Sequence, residues 1–305
     1  MLAWLRLVRL PNLATAAADS LAGFLVVTGM RSLDWPPVAC WCAVAASLAF
    51  YAAGMVLNDV CDVELDRVER PERPLPSGTI TVALAARVGN GLMAIGAVAA
   101  CAAAWAAATP WPALAGAALT ASIWIYDRHA KATVAGPAVM GACRGLNWLL
   151  GMTAAGGAVA TSAWMIPAGM GVYVAGITLF ARDEAGRSRR GTLVAGAVTM
   201  AVGLIVAAGF VWLPMQSGVT HVATLPAASW LACWGIMAVT ILIRAGQAIE
   251  SLAAAAVRGA VGNAIMGIIT LDAVLVLAAC GERWAMVVIS LMIGFLVGKR
   301  LVPPT

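Results

Sequence analysis

The chain has 305 residues, 62% hydrophobic and 11% charged, with a formal net charge of +5. That composition lies far outside soluble globular usage and excludes a water-soluble enzyme. It describes a polytopic, all-α membrane protein with room for nine or ten spans of about 20 residues each.

The N-terminal stretch MLAWLRLVRLPN carries Arg6 and Arg9 but no cleavage site before the first span, so no removable signal peptide is expected. Apolar spans follow at roughly 12–30, 37–57, 82–108, 111–126, 134–155, 163–180, 192–213, 225–243 and 259–280. A shorter run, 284–298, reads as a tenth span or a shallow helix. Alternating these spans from a cytoplasmic N-terminus puts seventeen basic residues inside and only Arg31 and Arg283 outside, a strong positive-inside asymmetry. The net charge therefore follows topology and implies no nucleic-acid partner. Lys299 and Arg300 lie inside if the number of crossings is even. The expected home is the bacterial inner (plasma) membrane, with the charged loops cytoplasmic. The seven cysteines are scattered and read as packing residues without a disulfide framework.

The longest polar stretch, Asn58 to Gly78, holds six of the fourteen acidic residues: Asp59, Asp62, Glu64, Asp66, Glu69 and Glu72. At 100° per helical residue, Asp59, Asp62 and Asp66 fall within an arc of about 60°, flanked by Asn58, while Glu64 points away. Clustered carboxylates repel unless cations sit among them. Mg²⁺ is commonly held by one or two carboxylates together with substrate phosphates, so this face suits Mg²⁺ and a diphosphate. The plain alternative is a solvated loop of mixed charge, which gives no reason for Asn and three Asp to share one face.

Tyr126-Asp127-Arg128-His129-Ala130-Lys131 follows at the cytoplasmic end of the fourth span. Here Lys131 is a candidate phosphate donor, and Tyr126 a hydrogen-bonding group near a leaving group; the alternative is an interfacial anchor. Intramembrane ionisable groups are costly and face a cavity or a partner. Asn12, Asp19 and Asn147 are expected at the cavity mouth, with Arg144 beside them. Asp272 is expected to pair with Arg244 or Arg258, or to sit in a site of its own. A second charged loop supplies Arg182, Asp183, Glu184, Arg187 and Arg190, whose guanidinium forks suit phosphate oxygens. A weak internal repeat, Arg9-Leu10-Pro11-Asn12 against Arg144-Gly145-Leu146-Asn147, divides the single domain 1–305 into helical units at about 1–133 and 134–305. It sets the two charged loops facing one another.

Together these residues resemble the UbiA superfamily of intramembrane prenyltransferases. Asn58-Asp59-Val60-Cys61-Asp62-Val63-Glu64-Leu65-Asp66 matches its NDxxDxxxD pattern. Arg9–Asn12, Arg70 with Arg73-Pro74-Leu75-Pro76-Ser77-Gly78, Tyr126–Lys131 and Arg144–Asn147 extend the match over nearly the whole chain. The resemblance implies a ring of nine, possibly ten, transmembrane helices around a central cavity capped by two cytoplasmic loops. It implies transfer of an isoprenyl group from a polyprenyl diphosphate to a hydrophobic or amphipathic acceptor, aromatic or small polar and cyclic, with Mg²⁺. Asp59, Asp62 and Asp66 would hold the metal, with Asp183 from the second loop. Arg70, Arg73, Arg144, Asn147, Asn12, Arg182, Glu184, Arg187 and Arg190 would bind substrate, and Asn58, Lys131 and Tyr126 would serve the chemistry. The second motif departs from the family's DxxxD, because Arg187 stands where the second Asp is usual. ARDEAGR with CRGLN resembles the EboC-like branch. Two other classes remain: a non-catalytic carrier for a prenylated lipid, and a secondary transporter. The intact first motif weighs against the carrier, and the position of the polar clusters at the cytoplasmic border weighs against the transporter.

Overall fold

In hydrocarbon every backbone polar group must be bonded inside its own segment, and the apolar runs of this chain accordingly form helices. The computed structural model describes residues 2–30, 32, 34–182, 189–216, 221–222 and 225–301. In chain order the helices are α1 (Leu2–Leu7), α2 (Leu10–Thr28), α3 (Val38–Cys61), α4 (Val63–Glu69), α5 (Val82–Ala106), α6 (Trp111–Ile125) and α7 (Gly136–Ala154). They continue with α8 (Met165–Phe180), α9 (Arg190–Gln216), α10 (Ala227–Ser251), α11 (Ala254–Cys280) and α12 (Glu282–Leu301). A π-helical turn, Tyr126–Ala130, prolongs α6, and a short antiparallel hairpin pairs His221–Val222 with Leu225–Pro226.

Among the described residues, eight helices are long and apolar enough to cross a membrane. α6 has only 15 residues before its π turn, and α7 is diluted by Arg144 and Asn147. The run read as 284–298 is a 20-residue helix, long enough to span. α10 and α11 outrun the apolar stretches read from sequence, because their exposed polar ends, Arg244, Glu250 and Arg258, carry the helices past the apolar zone.

Each long helix packs on the next in sequence, and α11 and α12 close the ring onto α2. α2 also packs on α7. It is thus, with α11, one of the two most enclosed helices: 67% of the apolar window of each is buried, against 22% in α10 and α12. Close backbone approach replaces side-chain packing between α2 and α7. A Cβ on Gly151 would overlap the Ser20 carbonyl oxygen, and one on Gly23 would meet that of Trp148 at 2.6 Å. Small residues at such crossings let transmembrane helices gain dispersion contacts where no hydrophobic drive separates protein from lipid. A smaller apolar cluster, Leu7, Val56, Val63, Leu75, Ile80 and Ala85, lies where α1, α3, α4 and α5 meet the segment 70–81.

Candidate active site

The helical face read from sequence survives the end of α3. Asp62 caps α3 in a right-handed helical conformation, its amide donates to the Asn58 carbonyl, and the Asp66 amide donates to the Asp62 carbonyl. The turn therefore runs almost unbroken into α4, and Asn58, Asp59, Asp62 and Asp66 stay on one side. Asn58, Asp59 and Asp66 are buried, whereas the Glu64 side chain is 76% exposed and pairs only with Arg67. The segment 70–81 then folds back. Leu75 and Ile80 are buried in the small apolar cluster, and Gly78 supplies a left-handed turn at φ +74°. That fold-back carries Arg73 inward: its Nη1 donates to Asp66 Oδ2 at 2.8 Å and lies 3.8 Å from Asp59 Oδ1. Arg70 is half-buried with no partner of its own described.

Lys131, just past the π turn, donates to Asn58 Oδ1 at 3.0 Å and pairs with Asp62. Asn58 in turn donates to Asp127 Oδ1 at 3.0 Å. Burial pushes the Asp127 carboxyl up to about 6, against the Asn58 hydrogen bond that lowers it. Burial, then the nearby Asp127 charge, pushes the half-buried Tyr126 phenol up to about 12. π-helical turns recur at functional sites because the extra residue re-aims side chains; here the turn brings both Asp127 and Lys131 to Asn58.

Two members of this constellation were not singled out from the sequence. Arg9 was read only as part of a motif; it holds a left-handed backbone, φ 49° and ψ 55°, at the start of α2, with Nη2 3.7 Å from Asp59 Oδ1. Asp127 stands beside the basic Arg128 and His129 and carries no periodic signal of its own. The remaining candidates divide. Asn12 lies half-buried in the first turn of α2. Arg182 donates to the Ala132 carbonyl at 3.2 Å, tying the second loop to the segment after Lys131. Arg190 is exposed at the start of α9. Asp183, Glu184 and Arg187 lie outside the described residues.

Arg144 and Asn147 are both buried on α7 and face α2: Arg144 Nε lies 2.9 Å from Asp19 Oδ2, and Asn147 donates to the same oxygen at 2.9 Å. Asp272 of α11 faces Asp19 and Arg144, so its expected pairing with Arg244 or Arg258 is overturned. Arg258 is fourteen residues earlier on α11, about 21 Å along the axis, and both arginines are exposed.

Asp59 Oδ1 and Asp127 Oδ2 are buried and accept no hydrogen bond. They are hard oxygen donors of the kind Mg²⁺ takes, and the cations Arg9, Arg73 and Lys131 stand round them. No three acidic, histidine or cysteine side chains converge enough to hold a metal unaided among the described residues. An apolar cleft bordered by Ile177, Phe180, Met200, Ile241, Ala245 and Ala260 lies between α8, α9, α10 and α11.

The model of the UbiA prenyltransferase family matches residues 19–255. The digeranylgeranylglyceryl phosphate synthase of Metallosphaera sedula is 36% identical over 95 residues, 31% of this chain and 32% of that protein. The matched stretch thus spans about a third of this curated relative's length. A solved structure concerning digeranylgeranylglyceryl phosphate synthase in membranes superposes with a TM-score of 0.66 at 17% identity, covering 92% of this chain and 98% of that one. A UbiA homologue from Archaeoglobus fulgidus bound to GPP and Mg²⁺ superposes with a TM-score of 0.59 at 15% identity, covering 85% and 99%. Identities this low speak for the shared fold.

Proposed function

The chain belongs to the UbiA prenyltransferase family, and from that premise and its carboxylate face we propose that it transfers an isoprenyl group from a polyprenyl diphosphate to a hydrophobic or amphipathic acceptor, with Mg²⁺. The observation that carries this reading is the single helical face of Asn58, Asp59, Asp62 and Asp66, ringed by Arg9, Arg73 and Lys131. A solvated loop would leave these carboxylates exposed; Asp59 and Asp66 are 7% and 4% exposed.

Asp59, Asp62 and Asp66 would hold Mg²⁺, with Asp183 of the second loop as a further ligand. When bound, the ion supplies charge neutralisation for the diphosphate leaving group. The chain's own residues do the rest. Arg9, Arg73 and Lys131 are fixed cations that can turn from carboxylate to phosphate oxygens as the donor arrives. Arg70, Arg182, Glu184, Arg187 and Arg190 are assigned to the rim that receives the diphosphate. Asn58 holds Lys131 and Asp127 in register through its two amide atoms. Tyr126 keeps its phenolic proton near neutral pH and so acts as a donor. The carbon–oxygen bond to diphosphate breaks, a bond to the acceptor forms, and the acceptor's proton leaves. The isoprenoid tail would lie against apolar helix faces of the bundle, which would keep water from the electrophilic carbon. The positive-inside asymmetry supports a cytoplasmic position for both loops in the plasma membrane.

The test is binding of geranyl diphosphate to the purified protein, titrated with and without Mg²⁺, in the wild type and Asp62→Ala. Binding is expected to require Mg²⁺ and to be lost in the variant while the protein stays folded, because Asp62 serves a charged ligand and not the core. Equal, metal-independent binding by both proteins would sink the reading. Product formation absent despite normal donor binding would favour the lipid carrier.

A further inference from the structure

The interior of the bundle contains a second polar cluster that prenyl transfer does not use. Asp19 and Ser20 on α2, Arg144, Asn147 and Trp148 on α7, and Asp272 on α11 meet near the middle of their helices. Asp19, Ser20, Trp148 and Asp272 are 0% exposed, Asn147 6% and Arg144 8%. α2 lies in the first of the two helical units expected from the sequence, and α7 and α11 in the second, so the cluster would join them.

Part of it is satisfied. Asp19 Oδ2 faces Arg144 Nε and accepts from Asn147, and Arg144 Nη1 donates to Thr15 Oγ1 at 3.4 Å. The rest is not. Asp19 Oδ1 and both oxygens of Asp272 receive no well-formed hydrogen bond, and Ser20 Oγ, Arg144 Nε and Arg144 Nη2 make none, while the Trp148 indole lies close enough to act on the Asp19 carboxyl without completing a bond of good geometry. Native proteins seldom leave buried polar atoms so, and such a group calls for a role or an unseen ligand. The Asp19 and Asp272 carboxyls lie within hydrogen-bonding reach of each other. If both were ionised, two acceptors would face each other with no donor between them. With one guanidinium against two carboxylates, the cluster would also carry an uncompensated charge in a low-dielectric interior, which is costly. Two carboxylates sharing a site do not readily ionise together.

We propose that Asp19 and Asp272 form a proton-binding site, holding one proton between them so that the cluster with Arg144 is neutral. A single proton turns an orphaned oxygen on each residue into one hydrogen bond and removes the surplus charge. No metal need enter, and no three metal-binding side chains gather among the described residues. The other titratable groups facing the cluster are Tyr173 on α8, whose hydroxyl donates to the Ala264 carbonyl, and Tyr51 on α3, on which Asp19, Arg144 and Arg9 all act. Both phenols are neutral partners and leave the charge count unchanged. The site has a consequence for the cytoplasmic end of α2. Asn12, Thr15 and Asp19 are spaced three and four residues apart and share one face of α2. Fixing Asp19 thus helps to fix the rotation of α2, at whose start Arg9 reaches Asp59.

Infrared spectroscopy of the full-length protein in lipid tests this through the carbonyl stretch of a protonated carboxylic acid. A band that resists exchange into heavy water is expected in the wild type and in Asp127→Asn, and is expected to vanish in Asp272→Asn. Asp272→Asn mimics the protonated state in shape and charge, so its thermal midpoint should match the wild type, whereas Asp19→Asn strips Arg144 of its partner and should lower it. The proposal is overturned if the wild type lacks the band, if the band survives in Asp272→Asn, or if Asp272→Asn unfolds as readily as Asp19→Asn. A thermal midpoint raised by sodium chloride but not by choline chloride, and no longer raised in Asp272→Asn, would assign the site to a metal cation instead.

Discussion

At the scale of single residues, Lys131 has two partners, and they make opposite demands. It hydrogen-bonds Asn58 and neutralises Asp62, so it occupies a carboxylate proposed above to hold Mg²⁺. When a diphosphate binds, the same ammonium can move to a phosphate oxygen. Lys131→Ala should therefore weaken donor binding by about 1.5–3 kcal/mol, the range for a hydrogen bond to a charged group, or roughly tenfold to a hundredfold. The apparent Mg²⁺ affinity should hold or tighten, because Asp62 loses its competitor. Titrating geranyl diphosphate at fixed Mg²⁺, and Mg²⁺ at fixed donor, separates the two; weaker Mg²⁺ binding in the variant would mean that Lys131 only organises the site. A parallel contrast concerns Arg187, which stands where a second acid is usual. If its guanidinium grips phosphate, Arg187→Asp should bind donor more weakly than Arg187→Ala at any Mg²⁺ concentration. Tighter binding by the Asp variant at high Mg²⁺ would show that the loop is a metal site missing a ligand. The positions of Asp59, Asp62 and Asp66 were legible because helical periodicity runs through Asp62. Arg9 and Asp127 were not, since a left-handed arginine and a π-helical turn are choices of tertiary packing that no periodicity announces.

At the scale of elements, the helices follow hydropathy, and the discrepancies have physical causes. Helices do not stop where the apolar zone stops, so α10 and α11 extend through Arg244, Glu250 and Arg258. α7 falls short of a span by hydropathy because it carries the polar side chains that anchor α2, and their partners on α2 and α11 are invisible to a window along one segment. The crossing of α2 and α7 depends on glycine at a point the sequence does not mark. A methyl group on Gly151 would overlap the Ser20 carbonyl, and backbone cannot step aside as a flexible side chain would. Gly151→Ala should destabilise by about 1–3 kcal/mol, the usual cost of overpacking, visible as a lower thermal midpoint in detergent. It should also weaken donor binding, because Ser20 adjoins Asp19 on the helix that positions Arg9. Gly157→Ala, where an added methyl meets nothing within 4 Å, is the control and should behave as wild type. A Gly151→Ala protein as stable as that control would show that α2 and α7 can separate without cost.

At the scale of the whole molecule, the open quantity is the number of crossings, because it decides which side the C-terminus occupies. Hydropathy alone gives eight spans among the described residues. α6 and α7 fall short for different reasons, one in length and one in polarity, yet each packs between its sequence neighbours in the ring. If both cross, the total is ten, and the basic end of α12 at Lys299 and Arg300 returns to the side of Arg9 and the carboxylate loop. The charge asymmetry favours the same: with α6 and α7 both out of the bilayer, Arg128 and Lys131 would lie on the opposite side from Arg67, Arg70, Arg73 and Arg87. Single cysteines in a cysteine-free background test it with an impermeant thiol reagent on intact cells. Gly157→Cys, in the exposed connection between α7 and α8, should label from outside. Ser77→Cys, in the exposed turn after Arg73, and Lys299→Cys, in the last turn of α12, should label only after the membrane is opened. Labelling of Lys299→Cys from outside, with Ser77→Cys still protected, would establish an odd number of crossings. Labelling of Ser77→Cys from outside would invert the molecule and place the proposed diphosphate site on the outer face.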